Sequence, residues 1–201
     1  MISYIKSFAW IDYFYLVLVD PRKLCGLIEK EEMRALPLGA ICLGCVSITE
    51  ILSLSLLGEQ TRFFYYKITY GWILLFLALS LHVAVLSGLI DLVSQFFGLP
   101  GSAKRLIDLL SLSLFPRVLL LPLVFVFRVF NFAPVFFYVL FSMGFSVWSA
   151  LVAIQGISEM HSLRFPRAVL IFILPLVIVA LVSFFIVILL IVLGVGYLSS
   201  L

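Results

Sequence analysis

Residues 148–175 read WSALVAIQGISEMHSLRFPRAVLIFILP. The stretch is the end of one apolar run, a short charged elbow carrying Glu159, His161, Arg164 and Arg167, and the start of another apolar run. From Ala168 to Leu201 there is no Asp, Glu, Lys or Arg. About 20 consecutive apolar residues suffice for a helix to cross the hydrocarbon core, and this run exceeds that. The elbow is therefore expected at a membrane surface, between two spanning helices.

Composition agrees. The chain has 201 residues, 65% of them hydrophobic and 11% charged, with a mean hydropathy of +1.30. A soluble domain would be about one quarter charged. No stretch outside the apolar runs has the length to build a soluble core, so one membrane bundle is expected. A net charge of +3 gives no reason to expect nucleic acid. Cys25, Cys42 and Cys45 make no disulfide framework. Near the N-terminus, the apolar run 13–19 is short and lies between Asp12 and Asp20, so it does not read as a cleavable signal.

Taken in order, residues 1–37 form an interfacial lead. Phe8, Trp10, Ile11, Tyr13, Phe14 and Tyr15 make an aromatic segment too short to span, suited to the headgroup level. Asp20-Pro21 then reads as a helix start. The helix it opens places Leu24, Leu27, Ile28 and Leu36 near one face, with Arg22, Lys23, Glu29, Lys30 and Glu32 elsewhere, and is expected to end at Pro37. Five apolar runs follow, at about 38–57, 71–97, 106–130, 132–157 and 168–197. The expected fold is all-α, a five-span bundle over residues 38–201 joined by short connections. Arg128 to Pro134 reads as a tight turn, and Gly98-Leu-Pro-Gly-Ser102 as another.

Basic residues set the orientation. Lys6, Arg22, Lys23, Lys30 and Arg34 precede the first run, Lys104 and Arg105 lie between the second and third, and Arg164 and Arg167 lie in the elbow. These nine share one side; Arg62, Lys67 and Arg128 are on the other. Basic loops stay in the cytoplasm, which predicts a cytoplasmic N-terminus and a C-terminus across the membrane. Arg22, Lys23, Lys104, Arg105, Arg164 and Arg167 then form a cytoplasmic basic face suited to anionic lipid headgroups.

Ionisable groups at membrane depth are costly and are functional candidates for that reason. They are Glu50, His82, Asp91, Asp108 and Arg117. Depth suggests a proton-relay pair of Glu50 with His82, and an ion pair of Arg117 with Asp91 or Asp108. The bland reading is that each is a polar contact between helices. His82 and Asp91 are nine positions apart, on opposite sides of one helix, which counts against a path along the second span. Small residues recur as Ser80, Ala84 and Gly88 in the second span, and as Ser146, Ser149, Ala153 and Gly156 in the fourth, a pattern for close helix approach. Pro116, Pro122 and Pro175 are expected to kink their helices. Cys42 and Cys45 read as packing residues, and Cys25 as a weak candidate for acylation. No catalytic, cofactor or metal motif is found: HExxH, GxSxG and a glycine-rich phosphate loop are all missing.

Four features resemble the Yip (Ypt/Rab-interacting protein) domain family in its short bacterial form. They are Asp20-Pro21 before an amphipathic helix, the turn FGLPGSAKRLIDLL at residues 97–110, Pro116 in the third span, and Trp148…Gly156…Glu159-Met-His161 followed by Arg167-Ala168. Arg117 departs from the small or apolar residue expected after that proline. The resemblance implies a non-enzymatic, membrane-organising protein of the bacterial inner membrane. It would act through membrane lipids, membrane-protein partners or further copies of itself. The alternative is a small transporter or channel component using Glu50 and His82. No convincing internal repeat supports that alternative.

Overall fold

A computed structural model of the chain describes residues 9–30, 32–58 and 64–199. Lys6, Phe8 and Arg62 lie outside the described residues. The elements are α1 (Ala9–Val19), α2 (Pro21–Lys30), α3 (Glu32–Leu57), α4 (Phe64–Phe96), α5 (Ala103–Ser113), a 3₁₀ segment (Phe115–Leu119), α6 (Leu120–Val129), α7 (Pro134–Met160) and α8 (Phe165–Ser199). Among the described residues, five stretches have the length and apolarity to cross a membrane: Leu36–Leu57, Ile68–Phe96, Ala103–Val129, Pro134–Met160 and Phe165–Ile188. The protein is an all-α polytopic membrane bundle.

Its core lies where α3, α5 and α7 meet. Cys42, Leu43 and Val46 come from α3, Leu106, Leu109 and Leu112 from α5, and Val152, Ala153 and Ile157 from α7. Outward faces of α4, α7 and α8 are lined with exposed Leu, Val, Ile and Phe, as lipid-facing surfaces must be. The third span is composite. Pro116 cannot donate a backbone hydrogen bond, and α5 gives way there to 3₁₀ geometry, with the Arg117 N–H donating to the Leu114 carbonyl at 3.0 Å. Pro122 stands in the first turn of α6, where the missing N–H is not needed, and Pro175 lies inside a continuous α8. Of the three prolines expected to bend the spans, Pro116 is the one that coincides with an interruption.

The lead is built into the bundle. Tyr13 and Val17 on α1 are buried while Ile11, Tyr15 and Val19 on its other side are exposed. The Phe14 ring meets the Phe115 ring at 4.5 Å, setting α1 against the 3₁₀ segment. Leu24 and Ile28 are buried where α2 packs on α7 and α5. Of the amphipathic face read from the sequence, Leu24 and Ile28 thus cover protein, while Leu36, carried on α3, is exposed and the Leu27 side chain lies outside the described residues. The sequence reading ends that helix at Pro37; in the structure α2 stops at Lys30, and α3 starts at Glu32 and runs on through Pro37. Pro37 stands past the first turn of α3, so one backbone hydrogen bond of the ladder is unmade there while the helix continues.

Both expected turns are present. Asn131 and Ala133 adopt positive φ between α6 and α7, and Phe127 stacks on Phe137 at 4.1 Å across the turn. Gly98 takes φ +76 in the α4–α5 turn, a left-handed conformation that glycine adopts without steric cost.

Candidate functional site

Two places gather polar side chains. The first is at mid-depth. Arg117, carried by the 3₁₀ segment, donates from Nη1 to Glu50 Oε1 on α3 at 3.0 Å and from Nη2 to Ser146 Oγ on α7 at 2.7 Å. Ser146 in turn donates to the Ser142 carbonyl, and Tyr138 of α7 stands beside both charges. Three spans are thereby tied through one guanidinium. The pairings expected from the sequence give way here. Glu50 meets Arg117 where His82 was expected, because a guanidinium stays charged and a carboxylate is the stronger partner for it. Asp91, one expected partner of Arg117, is engaged elsewhere.

His82 is exposed on α4 and lines a cavity of about 130 Å³ with Arg117, Ser113, Ser146, Ser149 and Phe172. Ser149 Oγ is buried there without a hydrogen-bond partner among the described residues. The fourth-span stripe faces inward, with Ser149, Ala153 and Gly156 buried. In the second span, Ala84 is exposed and a methyl group added at Gly88 would meet nothing within 4 Å.

The second place is the basic end. Asp91 Oδ1 accepts the Ser102 N–H at 2.6 Å and Oδ2 accepts from Gln95 Nε2 at 2.8 Å, so a carboxylate from α4 caps the entry to α5. Asp108 is buried on α5. A Cβ at Gly101 would lie 2.7 Å from Gln95 Nε2, the mobile end of an exposed side chain that can give way. With α5 so placed, Lys104 and Arg105 stand next to the end of α7. One hollow of about 420 Å³ is lined by Arg22, Cys25, Arg105, Glu159 and Ser162, and a second of about 310 Å³ by Ser102, Lys104, Arg105 and His161; Met160 borders both. Arg22 faces Glu159 at 3.8 Å, and Cys25 Sγ donates to the Gly156 carbonyl at 3.2 Å. The remaining basic candidates lie apart from these hollows. Lys23 pairs with Asp20 at 2.8 Å, which holds the Asp20 carboxyl below its usual range. Arg167 lines a hollow among Phe97, Leu99, Leu163, Leu170 and Ile171, and Arg164 is exposed in the turn before α8.

A family model, the Yip1 domain, matches residues 15–187. The chain belongs to the Yip1 domain family. No curated protein and no solved structure matches it. The match covers both polar places of this Yip1 domain, and the four features that carried the resemblance all fall within it. Asp20 closes the break between α1 and α2, residues 97–110 build the capped turn, and Pro116 delivers Arg117 to Glu50. Glu159 and His161 border the hollows. Sequence reasoning missed Ser146 as a ligand of Arg117 and Asp91 as a cap.

His161 makes the basic end sensitive to pH. Burial holds its pKa below the usual 6.5, against an opposing pull from Asp91, and neither ring nitrogen has a hydrogen-bond partner among the described residues. The folded state keeps the ring neutral while the unfolded chain takes a proton at about 6.5, so acid favours unfolding. Thermal melts of the purified protein between about pH 7.5 and pH 5 should show stability falling below 6.5, until the folded-state ring also protonates. His161→Asn should flatten that part of the profile; an unchanged slope would place its origin elsewhere.

Proposed function

We propose that this Yip1 domain is a non-enzymatic membrane-organising protein of the bacterial inner membrane. Its basic end faces the cytoplasm and engages lipids and membrane-protein partners, further copies of itself among them. One observation carries the reading: α2, the start of α5 and the end of α7 converge to build polar hollows at the end that the basic residues mark as cytoplasmic. The mid-depth residues support a bracing role. Glu50 and Ser146 are both committed to Arg117, which leaves a Glu50–His82 relay without its pair.

The test uses a photo-crosslinking residue placed singly at Lys104 or at Asn131, which lie at the two ends of the third span, in intact cells. Adducts to lipid or protein should concentrate at position 104, and a membrane-impermeant thiol reagent applied from outside should label Asn131→Cys but not Ser102→Cys. Labelling of Ser102→Cys alone, or adducts at position 131 alone, would overturn the reading.

A further inference from the structure

The geometry points to a phosphate-binding site at the basic end, formed jointly by the two hollows that meet at Arg105. It deepens the reading of that end as the working surface. The groove presents Arg22 from α2, Lys104 and Arg105 from the first turn of α5, and His161 from the turn after α7. These are separate pieces of chain that only the fold brings together. Arg105 lines both lobes, so one side chain borders a ligand seated in either. A guanidinium fork matches two phosphate oxygens at once, and Lys104 adds a point charge beside it.

The negative groups present define the ligand further. Asp91 accepts the Ser102 N–H just ahead of α5 and sets a negative charge beside that helix start, so recognition falls to the basic side chains. Glu159 faces Arg22 across an exposed 3.8 Å contact, a pair weak enough to open for a stronger anion. His161 contributes a ring whose two nitrogens are buried without partners in the described structure, a polar group that an oxygen-bearing ligand would satisfy. Hollows of about 420 and 310 Å³ suit a headgroup and are too small for a folded partner. They lie at the end of a spanning helix, Met160, where lipid phosphates are found, and basic pockets between spans at that level take anionic headgroups. The shared chemistry is a phosphate group, carried by a lipid or free.

The experiment is lipid titration of the full chain in detergent, read by native mass spectrometry, with phosphatidylglycerol against phosphatidylcholine. It needs neither a cytoplasmic orientation nor a protein partner, so its failure is separate from failure of the cellular crosslinking test. The wild type should retain phosphatidylglycerol about tenfold more tightly, and K104Q/R105Q should bring the two lipids within about twofold. R164Q/R167Q, which removes the same charge from the same end outside the groove, should keep most of the preference. Competition by inorganic phosphate that abolishes the phosphatidylglycerol preference assigns the site to free phosphate; a preference that survives it assigns the site to lipid. Equal loss in both double variants would mean diffuse charge attraction and overturn the site, as would no preference in the wild type. K104R, which keeps the charge and leaves the Arg105 fork in place, should retain binding, and a wild-type melting temperature for K104Q/R105Q separates loss of the site from loss of the fold.

Discussion

Glu50→Leu should lower the stability of the purified protein by about 3 kcal/mol or more, while E50L/R117M should recover most of that loss. Removing the carboxylate alone leaves the Arg117 guanidinium at mid-depth with only Ser146 as a side-chain partner among the described residues. A lone cation at that depth is among the most costly groups a span can carry. Replacing both charges with apolar side chains of similar volume removes the cost of stripping water from either, and such replacements are often neutral or better. The two effects are therefore strongly non-additive. Arg117→Lys should fall between wild type and E50L, since an ammonium lacks the planar fork that reaches Glu50 and Ser146 together. Thermal unfolding in one detergent, read for the wild type and the three variants, decides it. If E50L melts with the wild type, the pair contributes nothing and Arg117 is satisfied by other means. If the double variant melts as low as E50L, the residues matter for shape and not for charge.

The five spans were legible because each is a long apolar run, and lipid exposure leaves no alternative to helix. The turns were legible because glycine, proline and asparagine punctuate them. The amphipathic α2 was visible too, but not what covers it, since a stripe of Leu24 and Ile28 looks the same whether it meets lipid or protein. The Arg117 pairing was within reach of a depth argument. Counted from the starts of their runs, Glu50 and Arg117 lie about 18 and 16 Å deep from the same side, whereas Asp91 and Asp108 lie about 9 and 3 Å from it. Matching depths across two parallel spans would have chosen Glu50. The convergence of Arg22, Arg105 and Glu159 had no such signal, because it depends on α2 turning back onto α7 and α5. Nothing in the local sequence at Asp20-Pro21 encodes that direction; it follows from which buried surface the helix finds.

Gly156→Ala and Gly144→Ala should shift stability in opposite directions, though both sit on α7 and both add one methyl group. Alanine favours a helix over glycine by up to about 1 kcal/mol, so a site with free space should gain. Gly144 is such a site, with nothing within 4 Å of an added Cβ. At Gly156 the new methyl would collide with both terminal carbons of Leu109 and lie 3.0 Å from its Cγ. Leu109 cannot swing away, because it is 1% exposed and enclosed by the core. Overpacking of this kind costs about 1–3 kcal/mol, which outweighs the helix preference. The damage should also reach the basic end, since the Gly156 carbonyl accepts the Cys25 thiol and helps hold α2 on α7. Faster alkylation of Cys25 in Gly156→Ala than in the wild type would report that loosening. Leu109→Val in the same chain makes room for the methyl, so G156A/L109V should melt above G156A even though L109V alone melts below the wild type. A G156A protein as stable as G144A would show that α5 and α7 do not cross as closely as the Leu109 contact requires.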